Sequence, residues 1–219
     1  KGLKHMNYHI SDTMKHMQGS AIREMFKTMA KPGIISFAGG NPSPLTFPVD
    51  EIKEIAQKVL TEMPSLCLQY GITEGYAPLR EAVRERLARV EHIQNASDDI
   101  LITSGGQQSI ELAAKCLVNE GDTVIVEEPS FIGALNAFRS NGVQTIGVEM
   151  ENDGISLEKL EETLKNTKNA KLLYLIPTFQ NPAGTCMSLE KRMAVLELAK
   201  KYRKIRRRRK IYKNFPRKF

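Results

Sequence analysis

The chain has 219 residues, 41% hydrophobic and 26% charged, proportions that suit a globular protein long enough for one large domain or two small ones. No apolar run nears the roughly 20 residues that cross a bilayer, and residues 1–11 lack an apolar stretch of signal-peptide type, so a cytoplasmic protein without membrane contact is expected. The net charge of +7 is concentrated at one end: residues 203–219 hold ten Lys and Arg and no acid, leaving 22 basic against 25 acidic residues elsewhere, a balance of −3, so nucleic acid is expected at most as a non-specific contact of that tail.

In chain order, Met14, Met17, Ile22, Met25, Phe26 and Met29 recur at helical spacing over residues 12–30, ended by Pro32-Gly33. Such a stripe reads as core or subunit packing rather than a cofactor box. His5 and His9 stand one helical turn apart, but no carboxylate or cysteine accompanies them, so they read as solvated and no metal is expected. Residues 48–62 read as a helix with Asp50 and Glu51 in its first turn, where the dipole favours acids. Residues 77–91 read as another, with Pro78 tolerated near its start.

From residue 100 to 201, β-branched apolar runs alternate with helical patterns. Strands are expected at 100–103, 123–127, 144–148 and 171–176, with helices at 107–119, 131–141, 157–166 and 189–202. Ser156 and Ser188 stand at N-cap positions, and Gly121 and Gly142 just past helix ends. This is the pattern of an α/β fold, a doubly wound, mostly parallel sheet. Cys67, Cys116 and Cys186 are odd in number and far apart, which indicates neither a disulfide framework nor a zinc site and suggests small buried thiols.

Three motifs fall at carboxyl ends of expected strands, where open α/β sheets gather ligands. Thr103-Ser104-Gly105-Gly106-Gln107-Gln108 leads into a helix, whose first N–H groups and partial positive charge suit a phosphate. Gly-Gly turns also arise for steric reasons alone, and neither nucleotide signature, G-x-x-x-x-G-K-[ST] or G-x-G-x-x-G, is present. Glu127-Glu128-Pro129-Ser130-Phe131 offers an aromatic ring that singly reads as core and jointly as a platform for a flat ligand. Gln180-Asn181-Pro182-Ala183-Gly184 forms the third turn.

In this order the three motifs resemble those of fold-type I aminotransferases, which use pyridoxal 5′-phosphate (PLP). Ser20-Ala-Ile-Arg23, Ser36-Phe-Ala-Gly-Gly40-Asn-Pro and Gln69-Tyr70-Gly71 followed by Gly75-Tyr76-Ala77-Pro78-Leu79-Arg80 resemble the 2-aminoadipate/kynurenine branch, over about residues 10 to 202. The resemblance implies PLP-dependent transamination between an amino acid and a 2-oxo acid. It implies that Gly105, Gly106 and Gln107 hold the phosphate, that Phe131 stacks on the pyridine ring, and that Asn181 donates to the phenolic oxygen and borders the substrate. Tyr70 would reach a partner subunit's phosphate, hence a homodimer. Gly40 would admit the substrate carboxylate, and Ser20 with Arg23 would meet its side chain; read alone, Arg23 equally fits a surface helix.

The chain departs from the resemblance after Tyr202. There the family continues with an apolar strand carrying the aspartate that faces the pyridine nitrogen, followed later by the Schiff-base lysine. With Tyr212 taken as that motif's tyrosine, Arg209 stands in the aspartate's place, where its charge opposes protonation of the ring. The expectation is therefore no catalytic residue, an inactive fragment, and three regions: an N-terminal helix and arm at 1–47, a partial PLP-binding domain at 48–202, and a non-native or disordered tail at 203–219. Two other readings compete: a ligand-binding or regulatory domain touching nucleic acid through the tail, and a remnant with uncovered sheet edges.

Overall fold

The computed structural model describes residues 42–93 and 99–202, together with residues 9 and 11. The methionine stripe, His5, Ser20, Arg23, Gly40 and the basic tail with Arg209 and Tyr212 lie outside the described residues. Described residues 42–77 belong to one compact unit and those from 78 onward to another.

In the first unit, a 3-10 turn at Pro44–Thr46 precedes helix α1, Val49–Glu62, which carries Asp50 and Glu51 in its first turn as expected. Pro64 ends it: the residue before a proline is pushed out of helical geometry, and Met63 sits at φ −136°. Pro64 then opens a short helix, α2 (Pro64–Leu68), too brief to show a periodicity in the sequence. Neither helix buries a residue; Ile52, Ile55 and Leu60 are exposed.

The second unit takes α3 (Ala77–Glu91) from its second residue on, and contains α4 (Gly106–Leu117), β1 (Thr123–Glu128), α5 (Ile132–Ser140), β2 (Gln144–Glu151), β3 (Gly154–Ile155), α6 (Leu157–Asn166), β4 (Ala170–Tyr174) and α7 (Leu189–Lys201). Strand order is β3-β2-β1-β4. β1 is parallel to β2, with Thr123 opposite Gln144, and parallel to β4, with Ile125 opposite Leu173. β3 adds a two-residue antiparallel edge through Met150 and Ile155, too short to be seen as a strand in the sequence.

β1 reads as an unbroken apolar run because both of its faces are covered. Val124 and Val126 face α4 and α5, packing with Ala114, Val118, Ala134 and Phe138. Ile125 faces the other way, into a cluster with Val148, Leu160 from α6 and Val195 from α7. This period-two split places helices on both sides of the sheet, giving the expected doubly wound α/β architecture.

Helix ends follow the turn chemistry. Gly142 (φ +69°) closes α5 with its N–H on Arg139 O at 3.0 Å, while Val143 N–H reaches Phe138 O at 3.1 Å. Val143 and Phe138 also share a core cluster, which completes a Schellman cap. Ser188 caps α7 by accepting from Lys191 N. Ser156 occupies the cap position of α6, but its side chain makes no capping bond.

Two expectations need correction. Residues 100–103 form no strand; an extended segment becomes a strand only when a neighbour completes its hydrogen-bond ladder, and no described strand pairs with it. The segment is held instead by α3, where Arg80 Nε donates to Ile100 O at 2.7 Å and its guanidinium pairs with Asp99. The cysteines, expected to be buried, are all free and exposed. Cys116 lies two residues from both Ala114 and Val118, which pack inward, and that offset turns it to the outer face of α4.

Candidate functional site

Gly105 is the N-cap of α4 at φ +81°, ψ 170°, and no side chain caps the helix. That backbone region is open to glycine and strained for other residues. A Cβ at Gly105 or Gly106 would meet nothing within 4 Å, so nothing crowds the backbone where the helix begins, and a helix start without a side-chain cap fits an anion. The turn is stiffened from within. Thr103 Oγ1 and Ser109 Oγ lie 2.7 Å apart, and Ser104 N donates to Gln108 Oε1 at 2.6 Å.

Gln107 leaves the turn and reaches the next loop, its Nε2 donating to Gly133 O at 3.0 Å. Phe131 is the N-cap residue of α5, half-buried against the cluster of Val124 and Phe138. Gly133 sits between the two: a methyl group there would come within 2.3 Å of Gln107 Oε1 and 2.5 Å of the Phe131 ring. Gln107 and Phe131 are therefore immediate neighbours.

The third loop, residues 177–187, is a tight reversal. Gln180 N donates to Thr185 O at 2.8 Å, and Met187 N donates to Pro177 O at 2.8 Å. Arg192 of α7, buried, braces its base through Pro177 O at 2.7 Å, Thr178 Oγ1 at 3.1 Å and Met187 O at 2.8 Å. Asn181 and Gly184 stand exposed at its tip. Both Glu128-Pro129 and Asn181-Pro182 peptide bonds are cis.

Gln180, 2% exposed, joins this loop to the end of β1. Its Nε2 donates to Pro129 O at 2.8 Å and to Glu127 Oε2 at 3.2 Å. Glu127, 1% exposed, also accepts from Ile176 N at 3.0 Å. Burial pushes the Glu127 carboxyl above the usual range, partly offset by the donors Ile176 and Gln180. Burial also raises the Tyr174 phenol, with the Glu127 charge adding to it. Glu127 Oε1, Ser130 Oγ and Thr185 Oγ1 are buried without a hydrogen-bond partner.

Gly105, Gly106, Gln107, Phe131 and the Asn181 loop thus meet along the carboxyl edge of the sheet. Tyr70 belongs to the other unit, following α2, and is 99% exposed. The sequence alone assigns no role to Arg80, Glu127, Gln180 or Arg192. A buried glutamate or arginine inside an otherwise ordinary strand or helix gives no local signal of its partner. Among the described residues, no group of three or more His, Cys, Asp or Glu could hold a metal, and no helix is long and apolar enough to cross a membrane.

The family model described as aminotransferase class I and II matches residues 32–206. Aromatic-amino-acid aminotransferase 1 of Thermococcus litoralis is 39% identical over 198 residues, covering 89% of this chain and 48% of the relative. The 2-aminoadipate transaminase of Thermus thermophilus is 43% identical over 182 residues, covering 83% and 44%. The crystal structure of Pyrococcus horikoshii kynurenine aminotransferase, in complex with PMP, KYN as substrates and KYA as products, superimposes with a TM-score of 0.81 at 39% identity, covering 88% and 48%. The chain spans about half the length of the relatives it matches. A parallel sheet with three loops gathered at its carboxyl edge, matched by these sequences and folds, places the chain in the class I and II aminotransferase family.

Proposed function

We propose that this chain supplies the cofactor-holding sheet edge of a PLP-dependent aminotransferase that moves an amino group between an amino acid and a 2-oxo acid. The reading is carried by two cross-links, Gln107 to Gly133 and Gln180 to Pro129, which tie the α4 N-terminus, the Phe131 segment and the Asn181 loop together. In it, Gly105, Gly106 and Gln107 hold the phosphate on uncapped N–H groups, and the absence of Cβ atoms at the two glycines lets it approach the backbone. Phe131 covers the ring, and Asn181 donates to its phenolic oxygen while bordering the substrate.

When bound, PLP supplies an electron sink for charge developing at the substrate α-carbon. The residues of this sheet edge bind and orient. The helix end offsets phosphate charge, the half-buried Phe131 excludes water from one ring face, and the braced loop keeps Asn181 in place. Ser20, Arg23 and Gly40 serve the substrate, and Tyr70 reaches the phosphate of a partner subunit in a homodimer. Aromatic amino acids, 2-aminoadipate and kynurenine are the donors suggested by the relatives' names. A cytoplasmic location goes with this reading.

The test is titration of PLP into the 219-residue chain, followed by absorbance, with inorganic phosphate as competitor. Saturable binding is expected, weakened about tenfold, or about 1.4 kcal/mol, by Gly105→Val and by Asn181→Ala. Uptake that never saturates and is equal in both variants would sink the reading.

A further inference from the structure

Gln180 is almost wholly buried, whereas Asn181 beside it is exposed. Every polar atom of Gln180 is engaged. Nε2 donates to Pro129 O and Glu127 Oε2, and Oε1 accepts from Ala183 N at 2.8 Å. Its backbone N donates to Thr185 O, and its carbonyl accepts from Gly184 N at 2.5 Å. A space-filling residue needs none of these bonds. A carboxamide is planar, so the end fixed on β1 sets the direction of the end that receives the Ala183 N–H.

Glu127 makes that fixed end rigid. It stands in the most buried strand of the sheet and is itself held by Ile176 N. Gln180 therefore links the strand that leads to Phe131 with the turn that carries Asn181. We propose that Gln180 is a positioning residue: its hydrogen bonds to Pro129, Glu127 and Ala183 set the angle at which Asn181 meets the phenolic oxygen of a bound pyridoxal-type ring. This rests on the PLP reading above.

The experiment uses the full chain and pyridoxine 5′-phosphate, whose alcohol forms no Schiff base and whose absorbance reports ionisation of the ring phenol. Bound to the wild-type chain, the phenol ionises at lower pH than in free solution, because a donor on the phenolate favours the charged form. Gln180→Met loses most of this shift, while its Kd for inorganic phosphate stays within about twofold of wild type. Gln180→Glu retains the acceptor for Ala183 but sets a second carboxylate against Glu127, and it loses the shift too. Glu127→Gln keeps an acceptor for Gln180 and retains most of it.

Hydrogen exchange on the unliganded chain gives a second readout. The Ala183 amide exchanges faster in Gln180→Met, while Ile125 and Val126 stay protected. If Gln180→Met unfolds β1, Gln180→Glu decides in its place. A wild-type shift in a folded Gln180 variant, with Asn181→Ala abolishing it, overturns the positioning role and leaves the PLP reading intact. Absence of any binding or shift in the wild-type chain removes the PLP reading, and this inference falls with it.

Discussion

Gly133 shows how closely the site is packed. The space a methyl group would need is taken by Gln107 Oε1 at 2.3 Å and by two carbons of the Phe131 ring at 2.5 Å. Alanine near a helix start gains up to about 1 kcal/mol over glycine in backbone propensity. Overpacking costs about 1–3 kcal/mol, so the clash wins. Gly133→Ala is expected to lower the urea midpoint and to displace Phe131, weakening pyridoxine 5′-phosphate binding about tenfold; an unchanged midpoint and affinity would show that the ring and amide have room to yield. The motif Glu-Glu-Pro-Ser-Phe pointed to Phe131 in the sequence. Gly133 did not stand out, since the sequence does not reveal which side chain lies above it.

Ion pairs and hydrogen bonds between distant elements tie α7 to the sheet and to α6. Lys191 of α7, 9% exposed, pairs with Asp153 at 2.7 Å and with Glu151, which fastens the β2–β3 turn. Burial alone would lower the Lys191 ammonium, but its two carboxylates more than offset this and hold it above its usual value. Glu161 of α6 accepts from Lys201 and from Tyr202, each at 2.7 Å. These bonds, Lys201's first, hold the Glu161 carboxyl at about 2 against an ordinary 4.5. A depressed carboxylate contributes stability above its unfolded value and loses it as pH falls through the folded one. The contribution is therefore full above about pH 4.5 and fades toward pH 2. Glu161→Gln should unfold more easily than wild type near neutral pH, and the gap in thermal midpoint should close as the acid limit is approached; a gap independent of pH would mean the pair does not act through charge. The helices themselves were legible from periodicity and caps, and 157–166 matches the observed bounds. Their ion-pair partners were not, because Lys191 and Glu151 are 40 residues apart.

At the scale of the molecule, one central strand divides two cores, and the unit from residue 78 onward depends on both. Phe138, 1% exposed, fills the α4/α5 side and meets Tyr174 of β4 edge-on, with centroids 5.7 Å apart at 73°. Phe138→Ala is expected to cost about 3–5 kcal/mol, visible as a large drop in the urea midpoint by circular dichroism. A loss below about 1 kcal/mol would mean the cavity collapses or the core is loose. Among the described residues of the other unit, 42–77, Ile52, Ile55 and Leu60 are exposed.

The layer architecture is legible along the chain, because alternating periods of two and 3.6 residues and the turn residues between them are local properties. The order of the three loop motifs, which carries the resemblance, is likewise legible there. Which segments find partners is settled when the elements pack. Residues 100–103 read as a strand and found no ladder; the thiols read as buried and face outward. The bond from Gln180 to Glu127 spans 53 residues. Such contacts depend on strand order and register, which arise when the sheet assembles and are written in no single stretch of chain.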